Sequence, residues 1–312
     1  MRHWACGLVR IGRQPPKLMV GGSNPSTPVL VDPVLPGYLA ILRPANALVS
    51  GLVAVLAFLI AGGVPGPVAA WLFLAVVLLT GAGNTVNDYY DAAIDAVNRP
   101  ERPIPSGRVT TRAAARYAGG LFLAGCLAAL PAGPMPAVIA TVNAALLWGY
   151  AARLKRTPLV GHLAVAYLAA SLFVFGGSAA GLDGLGRVLP LALITLLGTV
   201  ARELLKAAED VEGDRRGGAR TFSVRFGVGW TVRLALVLAL AGIAASVLPY
   251  AAWGFPYLAL ITPADLLILG GVLRAVGCTT GHCVRASRAS TLLKAGMYLA
   301  LLAFAAAALI AY

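Results

Sequence analysis

The chain carries only twelve carboxylates among its 312 residues, and eight of them fall in two short segments. The first segment reads Asn84-Thr85-Val86-Asn87-Asp88-Tyr89-Tyr90-Asp91-Ala92-Ala93-Ile94-Asp95 and closes an otherwise apolar stretch. The second reads Arg202-Glu203-Leu204-Leu205-Lys206-Ala207-Ala208-Glu209-Asp210-Val211-Glu212-Gly213-Asp214. Residues three, four and seven apart share a helix face, so Asn84, Asn87, Asp88, Asp91 and Asp95 form one polar stripe. Asp210 and Asp214 are four apart and Glu203 lies seven before Asp210, giving a second stripe able to face the first. Gly213 is a possible helix breaker and leaves the placing of Asp214 open.

An ionised side chain at the centre of a bilayer costs about 2.5–3.5 kcal/mol, so acids in apolar segments are functional by default. Several on adjoining faces also repel one another and call for a cation. Hard oxygen ligands suit Mg²⁺, which takes one or two carboxylates and completes its shell with substrate phosphates. Asp88, Asp91, Asp95, Asp210 and Asp214 are therefore read as the holders of a magnesium diphosphate. The alternative is that the acids solvate helix ends and pair with loop arginines; it is the reading preferred for Glu101, Asp183 and Glu212.

The elements that must carry these stripes are membrane spans. The chain is 59% hydrophobic and 12% charged, against about 25% charged in a soluble domain, and its mean hydropathy is +0.81. Apolar stretches of bilayer-crossing length predict helices over 39–62, 68–90, 113–130, 136–152, 161–181, 188–209, 229–250, 257–276 and 290–311. The fold class expected is all-α, a polytopic bundle of about nine transmembrane helices. Residues 39–312 form a single membrane domain, and residues 1–38, polar and rich in turn formers, form a disordered or non-native extension without the apolar core of a signal peptide.

The formal charge of +13 does not point to nucleic acid, because the basic residues sort by loop. Arg99, Arg102, Arg108, Arg112 and Arg116 follow the second predicted helix, Arg153, Lys155 and Arg156 the fourth, Arg215, Arg216, Arg220 and Arg225 the sixth, and Arg274, Arg285, Arg288 and Lys294 the eighth. The opposite loops hold only Arg187. This asymmetry places those four loops and the N-terminus in the cytoplasm. Cys278, His282 and Cys283 lack the second ligand pair of a zinc site, and His162, alone in a helix, is read as a packing residue.

Taken together the motifs resemble those of the UbiA-type intramembrane prenyltransferases over almost all of the chain beyond residue 38. Asn87-Asp88-x-x-Asp91-x-x-x-Asp95, followed by Asn98-Arg99-Pro100-x-Arg102-Pro103-Ile104-Pro105-Ser106-Gly107, is similar to their first acidic motif, and Asp210-x-x-x-Asp214 to the second. Arg43-Pro44 and Tyr150-x-x-x-x-Lys155-Arg156 add to the likeness. The resemblance implies nine helices around a central cavity under cytoplasmic loops, Mg²⁺ held by Asn87, Asp88, Asp91, Asp95, Asp210 and Asp214, an isoprenyl diphosphate donor whose tail lies in a tunnel open to lipid, and a lipophilic acceptor. Candidates for substrate contact are Arg43, Asn84, Asn87, Arg102, Tyr150, Arg153, Lys155, Arg156 and Lys206; arginine forks and a compact lysine charge match phosphate. The wording is nearest to members that prenylate geranylgeranylglyceryl phosphate, with quinone- and chlorophyll-type acceptors as the alternative. Ala207, where relatives often carry an acid, and His162, where Asn is common, depart from the pattern; the first departure reduces metal ligation or shifts it to Glu203 or Glu209. A cation-coupled transporter would also use intramembrane acids, yet it has little use for Arg99, Arg102, Lys155 and Arg156 beside them.

Overall fold

The computed structural model describes residues 34–219 and 221–311; most of the expected N-terminal extension and Arg220 lie outside the described residues, as does the side chain of Arg156. Every element among them is helical: α1 (Val34–Leu42), α2 (Pro44–Ile60), α3 (Pro67–Asn98), α4 (Thr111–Ala129), α5 (Pro134–Ala152), α6 (Val160–Ser178), α7 (Gly181–Glu209), α8 (Val211–Arg216), α9 (Phe222–Phe226), α10 (Val228–Ala245), α11 (Tyr250–Leu273), α12 (Gly281–Ser287) and α13 (Ala289–Ala311). Among the described residues eight helices are long and apolar enough to cross a bilayer, and α1 with α2, bent by 47°, is a ninth if the pair is counted as one span. Helices satisfy their own backbone polar groups, which lipid cannot do.

The predicted 39–62 helix is thus a bent pair. Its break falls at Arg43, which adopts a left-handed conformation (φ 51°) ahead of Pro44, a strained state for a non-glycine residue costing about 1–2 kcal/mol. The predicted 68–90 helix instead continues unbroken through all 32 residues of α3 to Asn98. At 1.5 Å per residue it is about 48 Å long against a hydrocarbon core of about 30 Å. It is thus longer than one crossing needs, and its last three turns carry Asp88, Asp91 and Asp95. Helix α7 also starts earlier than expected, so Arg187 lies within it rather than in a loop.

Prolines at the first turn of α2, α3 and α5 set φ for helix entry, and the Thr110 hydroxyl accepts from the Ala113 N–H to cap α4. Packing relies on small residues that let backbones approach, as is usual where lipid removes the hydrophobic drive between helices. A β-carbon at Gly176 of α6 would sit 2.1 Å from the Ala54 carbonyl oxygen of α2, and one at Gly296 of α13 would sit 2.5 Å from Ile268 of α11. These contacts hold α2 on α6 and α11 on α13. One apolar cluster joins α2, α6, α7, α11 and α13, and another joins α2, α3, α4 and α5.

Candidate active site

The elbow at Arg43 brings the start of α2 onto the acidic face of α3. The Asn46 N–H, which an unbroken helix would give to the Leu42 carbonyl, donates to the Arg43 carbonyl at 2.9 Å, and the Leu42 carbonyl instead accepts from Asn84 Nδ2 at 2.8 Å. Arg43 then reaches Asp88 at 2.6 Å. Arg102, in the loop after α3, spans the same face, 3.3 Å from Asp88 and 2.6 Å from Asp95. Its loop is anchored by Val109, which is buried with Ile41 and Ala114, and by Arg108, whose guanidinium donates to the Glu101 carbonyl. Lys155, in the tight turn after α5, pairs with Asp91. The predicted stripe is therefore continuous, and a cation from a different element meets each of its three acids. Asp88 and Asp95 are buried.

The second acidic segment is arranged differently from the sequence expectation. Helix α7 ends at Glu209 and the break falls at Asp210 rather than Gly213; the Asp214 N–H still donates to the Asp210 carbonyl at 2.9 Å, so one helical turn connects the two acids. Asp210 is exposed and paired with Arg285 at 3.0 Å. Arg285 also donates to the Glu209 carbonyl at 2.8 Å, and the Gly281 N–H donates to Glu212. Helix α12 thus docks on this segment, a contact that only the proximity of distant loops could reveal. Cys278 and Cys283 at its start form a disulfide. Burial pushes the Asp214 carboxyl above the ordinary carboxylate value; the Thr221 hydroxyl opposes this and the Asp210 charge adds to it. Glu203 pairs with its neighbour Arg202 at 2.7 Å. Tyr150 of α5 lies within electrostatic reach of Asp91 and Glu203, and His162 of α6 within reach of Glu203, Lys206 and Asp214.

Beneath the charged layer is a cavity of about 500 Å³, a volume typical of ligand sites. Arg43, Asn84, Asn87, Tyr150 and Lys206 line its polar end, and Val76, Leu79, Leu147, Leu168 and Leu172 its apolar walls. Ser50, Ala169 and Leu172 are shared with an apolar groove of about 220 Å³ that runs between α2, α6, α7 and α13, past Phe173, Ile194, Met297 and Phe304. Five of the predicted contact residues therefore reach the cavity, while Arg102 and Lys155 sit with the acids above it. Arg153 ends on the surface at the close of α5. Among the described residues no three His, Cys, Asp or Glu side chains converge as a ready metal cluster; the acids of α3 are ion-paired instead. Asn143, not singled out by the sequence motifs, is a further cavity residue. Its only sequence signal is an amide in the middle of an apolar helix.

Eight long apolar helices and one bent pair among the described residues, with an acidic cap and an amphipathic cavity beneath, define an integral, multi-pass membrane protein. Residues 47–285 match the UbiA prenyltransferase family, and the chain belongs to it: this is a prenyl-transferring membrane enzyme. A digeranylgeranylglyceryl phosphate synthase of Methanoculleus marisnigri is 49% identical over 88% of this chain and 98% of its own length. Among solved structures, one concerned with digeranylgeranylglyceryl phosphate synthase in membranes superposes with a TM-score of 0.79 at 29% identity, covering 89% of this chain and 99% of that one. A UbiA homolog from Archaeoglobus fulgidus bound to DMAPP and Mg²⁺ shares the fold with a TM-score of 0.61 at 15% identity, over 85% of this chain and 99% of that one.

Proposed function

We propose that the chain transfers a geranylgeranyl group from its diphosphate to the free hydroxyl of geranylgeranylglyceryl phosphate, with Mg²⁺ bound at the acidic stripes on the cytoplasmic side. The observation that supports this most directly is the joining of a charged cap to an apolar cavity and groove, in a chain nearly half identical along its length to a relative named for that product. The donor set fits the metal: carboxylates on one face of α3, the Asn87 amide beside them, and a half-buried Asp214 whose charge calls for a cation. When bound, Mg²⁺ supplies Lewis-acid stabilisation of the departing diphosphate. Asn87, Asp88, Asp91, Asp95, Asp210 and Asp214 would hold it.

The chain's own residues account for the remainder. Lys155, Arg102 and Arg43, released from their carboxylates as the metal diphosphate enters, are placed to donate to phosphate oxygens. Charge that grows on the leaving group as C1–O breaks then meets donors already in position. The acceptor oxygen bonds to C1 of the donor, and its proton is taken up by the released diphosphate. Val76, Leu79, Leu147 and Leu172 keep water from the allylic carbon, and the groove toward α13 accepts the tail. The rarity of arginines and lysines in the loops at the opposite face supports a cytoplasmic setting for the basic loops and the N-terminus.

The test is a panel. Purified protein is given labelled geranylgeranyl diphosphate with geranylgeranylglyceryl phosphate, 4-hydroxybenzoate, homogentisate, naphthoate or chlorophyllide. The expected product is the glyceryl diether, formed only with Mg²⁺. Product from an aromatic acceptor alone would replace the ether-lipid reading and leave prenyl transfer standing.

A further inference from the structure

Three polar side chains line the cavity well below its charged mouth. Ser50, Thr80 and Asn143 each stand seven residues from a residue at the mouth, Arg43, Asn87 and Tyr150 respectively. Seven residues are two helical turns, about 10 Å along the axis. The three lie on different helices, α2, α3 and α5, and together form a second polar level within apolar walls.

Asn143 carries the argument. It is 8% exposed, and its Oδ1 is buried with no hydrogen-bond partner among the described residues. The orientation of its amide is fixed by its neighbour on α6. The Ser171 hydroxyl gives its only proton to the Leu168 carbonyl at 2.8 Å, so it can only accept from Asn143, and Nδ2 donates to it at 2.9 Å. Turned the other way, the amide would require that hydroxyl to give up the Leu168 carbonyl. Oδ1 is thus left as a buried, unpaired acceptor on a residue that lines the cavity, and the broad amide torsion lets a turn present it to a ligand. An unpaired amide oxygen at this depth costs free energy until a donor arrives, and such a group within a span marks function.

A hydrocarbon tail offers no such donor, and neither do phosphates. We propose that Asn143 Oδ1 receives the nucleophilic hydroxyl of the acceptor, on the polar level it shares with Ser50 and Thr80. A diphosphate held at the acidic cap, with its tail in the cavity, would leave C1 between the two polar levels. A hydroxyl that donates its hydrogen to Asn143 keeps its lone pairs free to face that carbon. Asn143 would then be a substrate-touching residue that selects acceptors bearing an alcohol or phenol. The choice of the glyceryl phosphate as probe rests on the function proposed above.

The test pairs a change in the ligand with a change in the residue. Dissociation constants of geranylgeranylglyceryl phosphate and its 2-deoxy analogue, which lacks only the hydroxyl, are measured without donor by calorimetry in detergent, for the unmodified protein, Asn143→Leu and Ser171→Ala. One neutral hydrogen bond corresponds to about five- to tenfold in affinity. The unmodified protein is expected to prefer the hydroxyl ligand by that factor. Asn143→Leu is expected to bind both ligands alike, while Ser171→Ala keeps the preference in part because Oδ1 remains. In turnover, Asn143→Leu is expected to raise the acceptor KM, leave the donor KM unchanged and shift products toward prenyl alcohol. Equal loss in both variants with the hydroxyl preference intact would reduce Asn143 to a tie between α5 and α6 and overturn the inference. A protein that binds neither glyceryl ligand but turns over a phenol would sink the acceptor assignment instead, and the same comparison with that phenol and its deoxy analogue would then decide the role of Asn143.

Discussion

Asp91 and Lys155 offer the sharpest test of whether the acidic stripe exists for a metal. In the structure the two are paired, with side chains 21% and 16% exposed, so the carboxylate already has a counter-ion. If Asp91 only positions Lys155, then Asp91→Ala, Lys155→Ala and the double variant should lose the same turnover, because the second change removes nothing further. If Asp91 holds the metal and Lys155 a phosphate oxygen, each single change should lower kcat by about a hundred- to a thousandfold, about 2.7–4 kcal/mol, and the double variant should fall well below either. Metal binding separates the cases further. Lys155 competes with the metal for Asp91, and a pair of this exposure is worth about 1 kcal/mol, so Lys155→Ala should tighten Mn²⁺ binding to the substrate-free protein by about fivefold, whereas Asp91→Ala should weaken it. The assays are initial rates over a Mg²⁺ series and Mn²⁺ titration followed by electron paramagnetic resonance. Thermal unfolding of the double variant should change little, because replacing both partners leaves no stranded charge. Unchanged Mn²⁺ affinity in Asp91→Ala would refute the metal role of Asp91.

Further expectations follow from packing and topology. Gly176→Leu should abolish folding or lower the melting temperature sharply in detergent, since even its β-carbon would lie 2.1 Å from the Ala54 carbonyl oxygen, whereas Gly119→Ala, where a β-carbon meets nothing within 4 Å, should be neutral or slightly stabilising. Asp183→Ala, in the first turn of α7 and far along it from the acidic end, should leave turnover near the unmodified rate, within about 0.5 kcal/mol; a loss like that of Asp91→Ala would mean the acids act through bulk charge. Single cysteines placed in residues 91–112, 152–160 or 210–228 should resist impermeant reagents applied outside intact cells, and labelling from outside would invert the orientation.

The nine spans and the first acidic stripe were legible because both are periodic. Apolar length counts crossings, and α-helical spacing sets Asn84 through Asp95 on one face whatever surrounds them. The elbow at Arg43 was not legible, since a left-handed arginine before proline depends on Asn84 donating to the Leu42 carbonyl and Asp88 accepting from the guanidinium, both more than forty residues away. The break at Asp210 escaped for a related reason: Gly213 has the local propensity to end a helix, but α12 docks through Arg285 and Gly281 one turn earlier. Asn143 passed unnoticed because a single amide in an apolar helix carries little weight until its neighbours show which of its atoms is left without a partner.

The pairing of the α3 acids with Arg43, Arg102 and Lys155 makes physical sense of a site that must be stable both empty and filled. Asp88 and Asp95 are nearly inaccessible to water, and ionised carboxylates in such a place would be costly if unpaired. Three acids and three cations from four parts of the chain form a set of zero formal charge. A magnesium diphosphate presents the same two kinds of charge in reverse: its cation suits the carboxylates and its oxygens suit the arginines and the lysine. Binding can then proceed as an exchange of partners within a water-poor layer, with each buried charge passing from one counter-ion to another. On this view the loop arginine after α3 and the lysine after α5 belong to the acidic motif as much as the aspartates do. Arg102→Met should accordingly impair the empty protein as well as catalysis, because it strands the buried Asp95 and leaves Asp88 with Arg43 alone. A melting temperature for Arg102→Met equal to that of the unmodified protein, in Mg²⁺-free detergent, would show that the acids find other counter-ions and that the exchange is not needed.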